Sequence, residues 1–146
     1  MMDLDKDSER GDGTDQEILD EANLISEEIF EGIKNFAIKD GIFAYEVDGF
    51  GSQSFMDDAN VPSLLSLPYL EVLAKDEESY LKTKKFLLSD ANPYYFHNSE
   101  ISGIGSLHTP KEHVWPIAIA IEGLVSLDES EIDFILKCAL EIEIET

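Results

Sequence analysis

The chain has 146 residues, and 32 Asp and Glu against 10 Lys and Arg leave a formal net charge of −22. So acidic a chain excludes a simple binder of nucleic acid or of an anionic membrane, which needs cationic groups facing the phosphates. The length bounds it to one domain, while 43% hydrophobic residues with eight Phe, five Tyr and one Trp exclude a wholly disordered chain.

In chain order, residues 1–16 carry almost no apolar side chains and read as a disordered acidic leader. Asp3, Asp5 and Asp7 alternate as in a calcium loop, but Ser8 and Thr14 stand where that loop needs Gly and Glu. Thr14 and Glu17 have capping-box spacing, and Ile18, Ala22, Ile25, Ile29, Ile33 and Phe36 recur every three or four residues. An amphipathic helix ending near Gly41 is expected. Residues 42–48 are a short strand or an extended loop. Gly49 and Gly51 then call for irregular backbone. Pro62 opens an expected helix with Leu64, Leu65 and Leu67 that Pro68 ends. Another helix is expected over 79–88, a loop over 92–109, and a buried helix over 115–125. A last helix, capped by Ser126 with Glu129, carries Ile132, Ile135, Leu136 and Leu140. The fold class is therefore all-α, with four to five helices joined by long structured loops. The longest apolar run, 114–121, is interrupted by Pro116 and is far shorter than the roughly 20 residues that cross a bilayer. No membrane segment and no signal peptide are expected. Cys138 stands alone, so no intramolecular disulfide can form.

The densest chemical constellation is Glu46, Asp48, Asp57, Asp58 and Asn60, flanked by Tyr45, Phe50 and Phe55. Acid and amide groups pair with sugar hydroxyls, and aromatic faces stack on a pyranose, so this composition suits a carbohydrate site. The alternative is that Asp57 or Asp58 caps the helix at Pro62 while the other acids are solvated. His97, His108 and His113 have no zinc-site spacing, and neither Gly-x-Gly run continues into a dinucleotide or P-loop pattern. No metal and no cofactor are expected. Trp115 stands at a helix start, where core packing competes with ligand stacking.

The strings YEVDGFGSQSFMDDANVPSLLSLPYL from Tyr45, NPYYF from Asn92, GIGSLHT from Gly103 and VWPIAIAIEGLVS from Val114 occur in an order and at spacings that resemble glycoside hydrolase family 125. That family comprises exo-α-1,6-mannosidases of bacteria and fungi. The resemblance covers about residues 17–136 and implies part of an (α/α)6 toroid, with residues 17–140 as a partial domain and 141–146 as an acidic tail. It also implies a mannose-containing glycan as partner. Asp57, Asp58 and Asn60 fall in the matching aspartate-rich loop and would bond mannose hydroxyls, and His108 and Trp115 would line the terminal sugar subsite. His97-Asn98-Ser99-Glu100 and Leu107 depart from the family pattern in the second loop.

The family's inverting hydrolysis needs one carboxylic acid to protonate the leaving oxygen and one carboxylate to activate water. The resemblance places these in an Arg-Pro-Ser-Asp-Asp motif and a His-Glu-Ser-Phe motif, and this sequence contains neither string. Twelve helices of about 11 residues with connections of about 5 also need roughly 190 residues, more than are present. The expectation is a mannosidase fragment that keeps part of the sugar wall without acid or base, and the expected apolar surface opened by the missing neighbours is at Ile117, Ile119 and Ile121. A non-catalytic carbohydrate-binding or interaction fragment, and a non-folding product of gene decay, are the competing readings.

Overall fold

The computed structural model describes residues 12–142. The chain divides after Phe36 into two units. Among the described residues the first is a single helix, α1 (Asp12–Phe36). It begins ahead of the expected capping box, so Thr14 lies inside the helix and residues 12–16 are not a disordered leader. Asp15 and Glu17 stand near its N-terminal end, where the helix dipole favours negative charge, and Gln16 Nε2 donates to Asp20 Oδ1 one turn on at 2.8 Å. Residues 1–11 and 143–146 of the expected leader and tail lie outside the described residues. The apolar stripe exists, but Ile18, Ile25, Ile29 and Phe36 are exposed.

The second unit opens on a hairpin where the sequence suggested the end of a helix. Strands β1 (Ile38–Lys39) and β2 (Ile42–Phe43) pair antiparallel, with Lys39 opposite Ile42. The two residues between them, Asp40 and Gly41, have φ of 55° and 81°, the left-handed pair that matches strand twist in a two-residue turn. Buried Phe43 is then fixed to α2 (Glu78–Leu87), its amide donating to Thr83 Oγ1 at 2.9 Å. A second hairpin pairs β3 (Glu46–Val47) with β4 (Gln53–Ser54).

No helix forms after Pro62; residues 65–71 are successive turns. Ser63 and Ser66 each accept the other's amide on their hydroxyls, at 2.8 and 3.2 Å, and such local bonds compete with a helical ladder. Pro68 has no N–H to return to the Leu64 carbonyl, and Glu71 at φ 60° turns the chain away. Tyr80, wholly buried on α2, holds this segment by donating its hydroxyl to the Leu65 carbonyl at 2.9 Å.

The expected loop over 92–109 contains a third antiparallel pair, β5 (Tyr95–His97) and β6 (Ser102–Ile104). Asn98 makes its turn, its side-chain oxygen accepting the Glu100 and Ile101 amides at 2.8 Å each. Helices α3 (Pro116–Val125) and α4 (Glu129–Ile142) pack on one another, and α3 packs on β6. Pro116 occupies the first helical position, where its missing N–H costs nothing. The cap of α4 is Asp128 rather than Ser126: Asp128 Oδ1 accepts the Ser130 amide at 2.8 Å, and its carbonyl accepts the Ile132 amide at 3.0 Å. Ile119, Ile135 and Cys138 form a core cluster with Ile101 and Val114 packed against it. Of the three isoleucines expected to be open, Ile119 and Ile121 are buried and Ile117 is 47% exposed. Among the described residues the architecture is thus four helices with three small antiparallel strand pairs, not all-α.

Candidate functional site

Asp57 and Asp58 lie in the segment between β4 and the turns that follow Pro62, and the fold gives them opposite duties. Asp57 is 0% exposed. Its Oδ2 accepts the Leu65 amide at 2.9 Å, while Oδ1 is buried with no hydrogen-bond partner. Burial raises its pKa from 3.8 to about 6; the Leu65 amide opposes that rise, and the neighbouring Asp58 charge adds to it. The nearby Ala59 and Asp58 amides also favour the ionised form without reaching bonding geometry at Oδ1.

Asn92 braces the same segment. Its side-chain oxygen accepts the Asp57 amide at 3.3 Å, and its Nδ2 donates to the carbonyls of Asp57 and Leu87, both at 3.1 Å. It is 1% exposed, so nearly every bond it makes is within the protein. Sequence reasoning missed this residue, and the available signal was an amide immediately before a proline that ends a helix-to-loop passage.

Asp58 keeps a little surface, at 8% exposed. Its Oδ2 accepts Asn60 Nδ2 at 2.7 Å, and its Oδ1 accepts the Asn60 amide at 3.3 Å and the Tyr45 hydroxyl at 3.2 Å. Burial and then the Asp58 charge hold the Tyr45 phenol above its ordinary range, so it remains a donor. Ala59 between the two polar residues has φ 64°, which folds Asn60 back onto Asp58. The result is a carboxylate, an amide and a phenol fixed in one cluster.

His108 and Trp115 stand apart from that cluster in the hydrogen-bond pattern. The His108 amide donates to Ser106 Oγ at 3.3 Å and its side chain is exposed. Trp115 is half-buried, and its amide donates to the Ile104 carbonyl at 3.1 Å. That bond lays residues 113–115 along β6, and a side chain at Gly105 would overlap the His113 carbonyl oxygen. The loop so formed encloses a cavity of about 240 Å³ lined by Tyr94, Ser106, Leu107, Thr109, Lys111 and His113 among others. Asp57, Asp58, Asn60, His108 and Trp115 line neither this cavity nor a wider one of about 580 Å³ on the β3–β4 hairpin. Among the described residues no group of three His, Cys, Asp or Glu is placed to hold a metal ion. No helix among them is long and apolar enough to cross a membrane.

Residues 1–146 match the metal-independent alpha-mannosidase family (GH125) from end to end. The chain belongs to this family. Over 92 residues it is 52% identical to the meiotically up-regulated gene 157 protein of Schizosaccharomyces pombe (strain 972 / ATCC 24843), a match spanning 62% of this chain and 18% of that protein. It also superposes on a metal-independent α-mannosidase of Streptococcus pneumoniae, solved in a non-productive substrate complex with α-1,6-mannobiose, with a TM-score of 0.77 and 44% identity. That match covers 84% of this chain and 30% of the bacterial enzyme, so the chain spans less than a third of either relative's length. The family suggested by the four ordered strings is the one to which the whole chain aligns. In this GH125 chain the aspartate-rich string forms the Asp57–Asn60 segment, and the Gly-rich string forms the cavity loop.

Proposed function

We propose that this chain forms part of the mannose-binding wall of an α-1,6-mannosidase-like glycoside hydrolase and supplies neither the general acid nor the general base. The observation that carries this is the Asp58 cluster, in which a carboxylate is fixed by Asn60 and Tyr45 while retaining accessible surface. Fixed acid and amide groups orient sugar hydroxyls at a lower entropic cost on binding than mobile ones would. In this reading Asp58 and Asn60 contact mannose, and Asp57 shapes the loop from beneath. His108 and Trp115 contribute from the second loop, outside the cavity that Tyr94, Ser106 and Thr109 line. In the same reading α2, α3 and α4 belong to an (α/α)6 toroid whose other hairpins complete the active site. The family membership and the α-1,6-mannobiose held by the S. pneumoniae enzyme support mannose as the sugar.

The test is titration of the isotope-labelled chain with α-1,6-mannobiose, read by amide shifts and by release of free mannose. Binding that Asp58→Asn weakens, with no hydrolysis, is the expected result. One observation favours a second reading, in which Asp57 is itself the proton donor. A carboxyl titrating near pH 6 suits that task, as general acids of glycosidases are raised in the same way. Its lack of any accessible surface argues for the structural role instead. Hydrolysis of α-1,6-mannobiose by the chain alone, abolished by Asp57→Asn, would establish the second reading and overturn the first.

A further inference from the structure

Of the three aromatic residues that flank the acidic constellation, only one is free to meet a ligand face-on. Tyr45 is half-buried with its hydroxyl on Asp58, and Phe55 packs edge-on against Phe86 with ring centroids 6.3 Å apart. Phe50, at the tip of the β3–β4 hairpin, is 96% exposed. The tip is nonetheless well held. Asp48 Oδ1 accepts the Phe50 amide at 2.8 Å and the Ser52 amide at 2.9 Å, and the Asp48 amide donates to the Ser52 carbonyl at 3.3 Å. Gly49 and Gly51, at φ 74° and 104°, allow the chain to close around that carboxylate.

The same hairpin bears the 580 Å³ concavity, lined by Glu46, Asp48, Ser52, Gln53 and Ser54 together with Val47. Carboxylate, amide and hydroxyl groups beside an exposed aromatic ring are the complement of a pyranose, whose rim is hydroxyl and whose face is apolar. The clustered acids oppose an anionic ligand. Tyr45 ties this surface to the Asp58 cluster, because its amide closes the hairpin base on the Ser54 carbonyl at 2.8 Å and its hydroxyl meets Asp58. Residues 45 to 50 span at most about 17 Å when extended. The hairpin tip therefore lies within about that distance of Tyr45, a separation of a few sugar units at most.

We propose that the β3–β4 hairpin is a second sugar-contact surface, with Phe50 stacking on a pyranose farther along the glycan than the mannose held by Asp58 and Asn60. This rests on the mannose-binding reading above and adds to it a preference for glycan length.

The test uses the full chain titrated with mannose, α-1,6-mannobiose and α-1,6-mannotriose, with affinity read from amide shifts. Affinity rises with length in the wild type. Phe50→Ala removes roughly threefold to tenfold of that rise, the range expected for one aromatic contact, and Phe50→Trp keeps it. Because the ring is solvent-exposed, loss of fold does not confound the alanine variant. Identical trisaccharide binding by wild type and Phe50→Ala would overturn the hairpin proposal alone, provided Asp58→Asn still weakens mannose. If no sugar perturbs residues 45–60 of the wild type, the mannose-binding reading fails and this proposal falls with it.

Discussion

Glu122 on α3 offers the clearest quantitative test of how the second unit is held together. Its carboxyl is largely buried, and that burial is the main reason its pKa rises from 4.5 to about 7. Glu131 on α4 raises it further, and Lys84 on α2 partly offsets both. Glu131 is itself occupied: Lys84 Nζ lies 2.8 and 2.9 Å from its two oxygens, and the Ser126 hydroxyl bonds the second. One lysine thus serves two carboxylates from neighbouring helices, and the one without a direct partner is the one that resists ionisation. A carboxyl with a raised folded-state pKa binds its proton more tightly folded than unfolded. Its contribution is fully present below about pH 4.5 and is lost as pH climbs through 7. At about 1.4 kcal/mol per unit, the difference between those limits is on the order of 3 kcal/mol, an upper bound because partial hydration screens the site.

Glu122→Gln imitates the protonated state. The variant should match the wild type within about 1 kcal/mol at pH 5 and exceed it by roughly 1–3 kcal/mol at pH 8.5. Urea midpoints measured on both proteins at the two pH values give the comparison. The variant-minus-wild-type difference cancels the repulsion among the other charged groups, which both proteins share. Asp57 titrates with the same sign, its contribution lost from pH 3.8 to about 6. Because Asp57 is present in both proteins, the variant-minus-wild-type difference cancels its contribution as well. A variant less stable than wild type at pH 8.5, or a difference that does not grow with pH, would refute the argument.

Three other substitutions read separate parts of the framework. Asn92→Ala removes the bonds to both backbone groups of Asp57 and to Leu87, and should cost about 2–4 kcal/mol by urea denaturation, since several buried groups lose partners together. Gly105→Ala forces a methyl against the His113 carbonyl, so residues 113–115 should separate from β6, seen as faster exchange of the Trp115 amide and a shifted Trp115 emission. Asp128→Ala strips the cap of α4 and should lower stability by about 1 kcal/mol, whereas Ser130→Ala should cost less because the Ser130 amide keeps its acceptor.

How far the sequence foretold this structure depended on whether the deciding interaction was local. The helices over 79–88 and 115–125 were legible from periodicity and from Pro116, whose effect on its own φ needs no distant partner. The Asp40-Gly41 pair was a readable turn signal between apolar residues, overlooked because the preceding helical stripe was extended through it. The Pro62 segment is different. Leucine spacing favours a helix there, but serine side chains take up the early amides and Pro68 removes a donor, so local hydrogen bonding overrode the apolar pattern.

At the candidate site, the same division separates Asp57 from Asp58. Adjacent aspartates in a polar string have equal claims on a sugar until the rest of the chain is in place. Burial, which comes from packing rather than from residue type, then encloses the first completely against the Leu65 amide and leaves the second, bonded to Asn60, only 8% exposed. The groups responsible, Asn92 and Tyr45, lie 35 and 13 residues from the aspartates they meet, and each bonds backbone or carboxylate across that separation. A buried amide spanning three backbone positions fixes a loop more tightly than any turn residue within it, because its bonds cannot be exchanged for water without unfolding the surroundings. If Asp58 is set for mannose, that setting therefore depends on Asn92. The Asn92→Ala variant should weaken sugar binding even though the substituted residue is itself too buried to touch a ligand.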